Sequence, residues 1–191
     1  MTAAKAFARL ARCGLFALLA CHAPPAAASD EVWARLGKPG HIILLRHSNA
    51  PGNVTESNDM NFKDCSIQRN LDDAGRAQAT RIGNEFRKRG IGVRLISSQY
   101  CRAVDTAKLT RLGPVSQNAV LNQVFGSEMN DAGSKGRALM KRVSAGQPTV
   151  LVTHINNIQA MGGPQLDSGQ MAVVHFDKSG EVVVDGTITV P

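Results

Sequence analysis

Short apolar runs alternate along the chain with amphipathic segments. The runs at 41–45 and 149–152 show no polar alternation, which is typical of strands buried on both faces. From Asp72 to Gly90, small or apolar residues recur every three or four positions, which predicts a helix. Weaker patterns predict an amphipathic lead-in at 31–40, helices at 102–111 and 131–145, a loop or short helix at 154–161, and strands at 93–97, 115–120, 171–176 and 181–190. This alternation predicts a three-layer α/β/α sandwich with a mostly parallel central sheet.

Residues 48–70 interrupt this alternation with a long polar segment. It contains Pro51-Gly52, several asparagines and few apolar side chains, which argues against regular structure. Connections of this length in a compact domain are usually functional or disordered. We therefore expect a loop with a role in function.

The composition is that of one globular domain. Hydrophobic residues make up 43% and charged residues 19% of the 191 positions, unlike a disordered chain, and no apolar run approaches the length of a membrane span. The net charge of +7 is a weak hint of nucleic-acid binding. The aromatic residues are few and are not interleaved with basic ones, as a stacking platform for single strands requires. No nucleic-acid partner is expected.

Residues 1–28 have the pattern of an export signal. A basic start is followed by an apolar region at 14–20 and by the small-residue cleavage site Ala26–Ala28. Cleavage removes three basic and no acidic side chains, and leaves a domain at 29–191 with 163 residues and a net charge of +4. Alternatively, the sequence before Cys21 is a lipobox and a lipid on Cys21 anchors the protein to a membrane. Both interpretations place the domain outside the cytoplasm, in the periplasm or secreted.

Two cysteines remain in this domain, Cys65 and Cys101. In an oxidising compartment they can form a disulfide, which the loop-entropy model values at roughly 3–4 kcal/mol, and the alternative is two buried thiols. The cysteines have no C-x-x-C spacing and the histidines no H-x-x-x-H spacing. No metal or cofactor is expected, and His41 and His175 give no argument for a site.

Arginine and histidine follow three of the predicted strands. Arg46 and His47 follow the first, Arg102 follows the second, and His154 follows the run at 149–152. Carboxyl ends of parallel strands share one edge of a sheet, so these side chains should converge there. Two guanidinium forks suit a phosphate group, and a neutral imidazole can act as a nucleophile. The pattern predicts phosphoryl transfer.

Each of these residues also has a purely structural interpretation. The two histidines can be hydrogen-bonded polar residues at strand ends. Arg102 can pair with Asp105 at the start of a helix. Arg69 and Arg76 are expected to be scaffold residues.

The segments around these residues resemble the histidine phosphatase superfamily. They occur in the family's order: Leu44–His47, Gln68–Leu71 leading into Gly75–Ala79, Ser97-Ser98 with Arg102 and Thr106-Ala107, and Val150–His154. The resemblance implies the phosphoglycerate mutase-like fold. It also implies that His47 attacks phosphorus and becomes phosphorylated, while Arg46 and Arg102 bind the phosphoryl oxygens and His154 donates to them. Water would then hydrolyse the phosphohistidine.

The chain departs from the family pattern where a proton donor is expected. Amides or other uncharged residues stand where the family or its short members have carboxylates, at Ser48-Asn49, Leu121–Gln123 and Gly169-Gln170. Glu128 is the first candidate for the missing general acid and Asp131 the second. Asn53 falls at the spacing of a family contact to phosphate.

The expected function is therefore that of an exported phosphatase, a phosphoric monoester hydrolase. Its substrate would be a phosphomonoester or phosphohistidine, on a small molecule or a protein, in an open pocket. The missing acid favours an alternative, a non-catalytic module that binds phosphate ligands on the same fold. A phosphoglycerate mutase-like isomerase is disfavoured, because the chain is short and is expected to leave the cytoplasm.

Overall fold

The computed structural model describes residues 25–36, 38–57 and 59–191, with side chains from residue 30 onward. Within these residues the helices are α1 (Pro25–Arg35), α2 (Asp73–Lys88), α3 (Cys101–Thr110), α4 (Met129–Ser144) and α5 (Ile155–Ala160). The strands are β1 (Ile42–Arg46), β2 (Arg94–Ser97), β3 (Val115–Gln117), β4 (Thr149–Thr153), β5 (Met171–Phe176) and β6 (Val182–Ile188). In this part of the chain, no helix has both the length and the apolar character that a membrane crossing requires.

The six strands form one sheet in the order β3-β2-β4-β1-β5-β6. The strands β3, β2, β4 and β1 are parallel, and β5 is antiparallel to both β1 and β6. Val152 of β4 is the register partner of Leu45 on one side and of Ser97 on the other. The carboxyl ends of β1, β2 and β4 therefore lie at one edge, as the sequence predicts.

Helices cover both faces of the sheet. Ile43 and Leu45 of β1 point into a core with α1, α2 and α3, while Ile42 and Leu44 point into a second core with α4 and α5. All four side chains are fully buried. A strand with two dry faces needs apolar residues at every position, which explains the uninterrupted run in the sequence. The predicted three-layer sandwich is confirmed.

Helix α2 shows most clearly how the pattern of apolar residues and a capping residue determine an element of secondary structure. The Asp72 carboxylate accepts a hydrogen bond from the Gly75 amide (2.7 Å) and caps the first turn. The buried face consists of Gly75, Ala79, Ile82, Gly83 and Phe86. The helix is followed by Gly90 with a φ of +66°, a conformation that glycine adopts at little cost.

Two boundaries differ clearly from the sequence prediction. The amphipathic lead-in belongs to a helix that already begins at Pro25, so α1 includes the last four residues of the predicted export signal. The weak strand at 115–120 ends at Gln117, because the Asn118 side chain accepts from the Val120 amide and starts a 3-10 turn. Residues 1–24, the rest of the predicted signal with Cys21, lie outside the described residues.

The segment 48–70 is a loop, with one short 3-10 turn at Cys65–Ile67. A disulfide joins Cys65 to Cys101, the first residue of α3, across a sequence separation of 36 residues. The buried Gln68 side chain adds a second link, since its oxygen accepts a hydrogen bond from the Cys101 amide (2.9 Å). The loop is thereby fixed to the start of α3, beside the edge where the strands end.

Candidate active site

The structure brings together the side chains that the sequence places after the three strands. Arg46 ends β1 and His47 follows it, Arg102 is the second residue of α3, and His154 follows β4. The ring centroids of His47 and His154 are 5.3 Å apart. Arg102 lies between them, with Nε 3.2 Å from His47 Nε2 and Nη2 3.3 Å from His154 Nδ1. Two imidazoles therefore face one guanidinium.

His47 is held as a neutral imidazole with a defined tautomer. Its Nδ1 lies 2.8 Å from the Ser48 carbonyl oxygen, which can only accept, so Nδ1 carries the proton. The lone pair is then on Nε2 and accepts from Arg102 Nε. Burial and, after it, the positive charge of Arg102 lower the pKa of His47 to about 3. Near neutral pH the ring is therefore uncharged, with its Nε2 lone pair directed at Arg102.

His154 is also buried, with the opposite tautomer. Arginine can only donate, so Nδ1 accepts from Arg102 Nη2, and Nε2 donates to the Ser98 hydroxyl at 2.9 Å. Burial above all, then the neighbouring His47 and Arg102, hold the pKa of His154 well below its ordinary value. To donate to a phosphoryl oxygen from Nδ1, this ring must gain a proton or exchange its tautomer when the anion binds.

The guanidinium of Arg102 is fully buried, and each of its three nitrogens has a hydrogen-bond partner. Nη1 donates to Glu56 Oε1 and Nη2 to Gln123 Oε1, both at 2.6 Å, and the group stacks on Tyr100 at 4.5 Å from the ring centroid. A buried cation needs a compensating anion, and Glu56, whose side chain is 4% exposed, supplies it. Asp105, the alternative partner considered from the sequence, does not take this place.

Glu56 is the site residue that sequence reasoning missed. It lies in the loop 48–70, and its Oε1 also accepts from the Arg69 amide at 2.9 Å, while Arg69 Nε lies 3.7 Å from Oε2. A carboxylate in a loop is not part of a helix or strand pattern, so the hydrophobic periodicity of the sequence does not identify it. The available signal was physical: an arginine predicted to be buried requires a counter-charge, and Glu56 is the first carboxylate after His47.

Arg46 reaches the same edge from β1. Nη1 donates to the Leu166 carbonyl oxygen at 2.7 Å, and burial lowers the pKa of this guanidinium, with the Asp167 carboxylate opposing the shift. Arg46 Nε is buried without a hydrogen-bond partner among the described residues. Buried donors are normally satisfied, so this N–H is available to an oxygen of a bound group.

A family model matches this part of the chain. The model of the histidine phosphatase superfamily (branch 1) matches residues 42–123, a range that contains Arg46, His47 and Arg102. Over this range the chain is similar to the histidine phosphatase superfamily. No curated protein sequence matches it.

Solved structures of histidine phosphatases share the fold. The protein histidine phosphatase SixA, complexed with tungstate, superposes with a TM-score of 0.58 at 13% identity, over 78% of this chain and 96% of the other. A mycobacterial glucosyl-3-phosphoglycerate phosphatase complexed with VO3 gives 0.57 at 18% identity, over 75% and 96%. A phosphoserine phosphatase mutant from Entamoeba histolytica, in complex with phosphoserine, gives 0.57 at 15% identity, over 77% and 95%. At these identities the likeness is one of fold.

The remaining predicted residues lie around the central group of Arg102 and the two histidines. Glu128 is exposed in the 3-10 turn before α4, and with Glu56 and Phe125 it lines an open cleft of about 630 Å³. Asp131 pairs with Lys135 on α4 at 2.6 Å. Asn53 is exposed on the loop 48–70. The roles of Glu128 as proton donor and Asn53 as a phosphate contact stay predictions.

Two of the uncharged segments that depart from the family pattern, 121–123 and 169–170, also have positions at the site. Gln123 is bonded to Arg102, and the Asn122 side chain accepts from the Gln99 amide at 2.8 Å. The amide of Gly169 donates to the carbonyl oxygens of Arg46 and His47, both at 3.1 Å. Gln123 and Gly169 therefore bind Arg102 and the backbone of Arg46 and His47, and neither supplies a carboxylate.

Acid is expected to destabilise this protein through His47. Its pKa is about 3 in the folded state against about 6.5 in the unfolded chain, so between these values the unfolded chain binds a proton that the folded one lacks. The free energy of unfolding then falls as the pH drops from 6.5 towards 3, by up to about 1.4 kcal/mol per pH unit for this residue. His47→Asn removes the titrating group, so urea unfolding from pH 4 to 7 should show a flatter slope. Equal slopes in the two proteins would contradict this assignment.

Proposed function

We propose that this chain is an exported phosphatase that hydrolyses phosphomonoesters or phosphohistidine through a covalent intermediate on His47. The observation that carries the proposal is the direction of the His47 Nε2 lone pair. It faces the Arg102 guanidinium, the group best suited to bind phosphoryl oxygens. The proposed nucleophile and the proposed anion-binding group therefore already face each other, with His47 Nε2 3.2 Å from Arg102 Nε.

The reaction that follows from this arrangement has two displacements. In the first, His47 Nε2 attacks phosphorus, the P–N bond forms, and the bond from phosphorus to the ester oxygen breaks as that oxygen takes a proton. In the second, water attacks phosphorus, the P–N bond breaks, and inorganic phosphate leaves with His47 regenerated. Arg102 and Arg46 balance the charge on the phosphoryl oxygens in both steps, which is usually the largest contribution to such catalysis.

The cleft from which a leaving group would depart is lined by three carboxylates, Glu56, Asp59 and Glu128. Glu128, the predicted proton donor, is exposed there, and Glu56 lies at the inner end, bonded to Arg102. A carboxylate that already binds the guanidinium must give up part of that contact when a phosphoryl group arrives. The proton donor is therefore proposed to be Glu128, with Glu56 as the residue that the substrate displaces.

Export is part of the same proposal. It rests on the pattern of residues 1–28 and on the Cys65–Cys101 bond, because structural disulfides form and persist mainly in oxidising compartments. In an alternative form of this proposal, a lipid attached to Cys21 anchors the exported protein to a membrane.

The test is hydrolysis of p-nitrophenyl phosphate and of a panel of alkyl phosphates and phosphohistidine peptides by the EDTA-treated protein. We expect turnover of the aryl ester, and phosphate on His47 when the reaction is quenched in alkali, where phosphohistidine is stable. Glu128→Gln should slow the alkyl esters more than the aryl ester, since nitrophenolate leaves without a proton. Asp59→Asn, which changes another carboxylate of the same cleft, is its matched control. Phosphate or vanadate binding without any turnover would instead establish the non-catalytic module, which the amides at 122–123 favour.

A further inference from the structure

A second cluster of ionisable side chains lies at the opposite edge of the sheet from His47. His41 directly precedes β1, His175 is in β5 and Asp185 is in β6. Ile42 is the register partner of Val174, so the next pair in the antiparallel ladder is His41 and His175. Their ring centroids are 5.4 Å apart. Adjacent strands therefore place two imidazoles side by side.

A β-bulge brings the carboxylate to these rings. Val173 pairs with Gly186 and Val174 with Val184, which leaves Asp185 as the extra residue of β6. Bulges commonly redirect a side chain, and here Asp185 Oδ2 lies 2.8 Å from His175 Nδ1 and 3.5 Å from His41 Nε2. The Asp185 side chain is only 6% exposed.

The hydrogen bonding of His41 leaves an electron pair directed at this carboxylate. His41 Nδ1 lies 3.1 Å from the Lys38 carbonyl oxygen and must be the donor in that contact, so in the neutral ring Nε2 has no proton. Nε2 and Asp185 Oδ2 are then two electron-pair donors facing each other at 3.5 Å. A metal ion between the two atoms would bind both electron pairs.

The side chains of His41, His175 and Asp185 also have the arrangement of a set of metal ligands. The three ligand atoms all lie within 4.8 Å of one another. Ligands around a tetrahedral Zn²⁺ at 2.0–2.1 Å are separated by about 3.3 Å, so small side-chain movements suffice. Metal-binding histidines usually donate their other ring N–H to a carbonyl or carboxylate, as His41 does to Lys38.

We propose that His41, His175 and Asp185 bind one divalent transition-metal ion, with water as a further ligand. Two imidazoles and one carboxylate favour Zn²⁺ over Ca²⁺ or Mg²⁺, which prefer oxygen ligands. His175 is 32% exposed, which gives the ion a route from solvent. The ion joins β1, β5 and β6 at the far edge from His47, so its role is to stabilise the fold, and phosphoryl transfer does not require it.

The competing charge at the cluster is Arg35. Its Nη1 lies 4.0 Å from Asp185 Oδ1, on a side chain that is 52% exposed. Such an exposed ion pair contributes little, and the arginine can turn to solvent when a divalent ion binds to the other carboxylate oxygen. Arg35→Gln is therefore expected to strengthen metal binding.

The test is calorimetric titration of EDTA-treated, dialysed protein with Zn²⁺, together with thermal unfolding in the presence and absence of the ion. We expect one site that raises the Tm, and at least a 100-fold weaker affinity in His41→Ala, His175→Gln and Asp185→Asn, each checked for folding by circular dichroism. Co²⁺ in place of Zn²⁺ should give the visible absorption bands of a tetrahedral N/O site. These readouts are independent of phosphatase activity.

His47→Asn is the matched control, because zinc can also bind active-site histidines. It should bind Zn²⁺ as the wild type does. The proposal would be overturned if the wild type bound no Zn²⁺. It would also be overturned if His175→Gln and Asp185→Asn bound Zn²⁺ with unchanged affinity, or if His47→Asn lost binding.

Discussion

His47→Asn is expected to abolish phosphoenzyme formation and to lower kcat/KM for p-nitrophenyl phosphate by at least about 10⁴-fold. The whole covalent route depends on the Nε2 lone pair, and removal of a nucleophile is among the most damaging changes in covalent catalysis. Asparagine keeps a side-chain N–H that can donate to the Ser48 carbonyl oxygen, as His47 Nδ1 does at 2.8 Å. The replacement therefore removes the reacting atom while it preserves the local hydrogen bond.

Two controls separate loss of chemistry from loss of structure. Lys178→Asn, in the turn between β5 and β6, should retain the wild-type rate because it lies far from the pocket at the sheet edge. Vanadate should still protect His47→Asn against thermal unfolding, since Arg46 and Arg102 remain. A His47→Asn protein that keeps more than a tenth of the wild-type rate would refute His47 as the nucleophile.

Arg102→Met is expected to reduce both turnover and stability. Removing one preorganised donor to a developing anion typically costs about 10²–10³-fold in rate, and Arg102 supplies more than one. The free energy of unfolding should fall by about 3–5 kcal/mol, because the buried Glu56 carboxylate loses its 2.6 Å partner. Methionine fills a similar volume without the charge, so packing contributes less to the loss than in an alanine variant.

The double variant Arg102→Met/Glu56→Gln distinguishes charge from packing. If the stability loss comes from an uncompensated carboxylate, neutralising Glu56 should recover part of it, while turnover should not recover. The four proteins of this double-mutant cycle are compared by urea unfolding and by kcat/KM. A double variant no more stable than Arg102→Met would show that the pair is not what stabilises this part of the protein.

The fold and the central residues of the site could be predicted because they depend on local patterns. Strands with two buried faces need uninterrupted apolar runs, as at 42–45, and helix α2 needs a repeat of three and four. Parallel strands then bring the residues that follow them to one edge, which places His47, Arg102 and His154 together. None of this requires knowledge of how distant loops pack.

Contacts that depend on tertiary packing could not be predicted in the same way. Glu56 lies in a loop without periodicity, and only the folded structure pairs it with Arg102, 46 residues away. The cluster of His41, His175 and Asp185 depends on the strand order and on one bulge in β6, neither of which leaves a spacing motif. For that reason the sequence offered no argument for a metal site.

The disulfide also determines how strongly Glu56 competes for Arg102. Glu56 lies midway between two fixed points, nine residues after His47 and nine residues before Cys65. Without the Cys65–Cys101 bond, the second fixed point would be Gln68, whose side chain is bonded to the Cys101 amide, and the free segment would be longer. A shorter segment between fixed ends has fewer conformations to lose, so the bond raises the effective concentration of the carboxylate at the guanidinium. A phosphoryl group that enters the pocket must therefore compete with Glu56 for Arg102. Oxidation of Cys65 and Cys101 to the disulfide strengthens this intramolecular competitor.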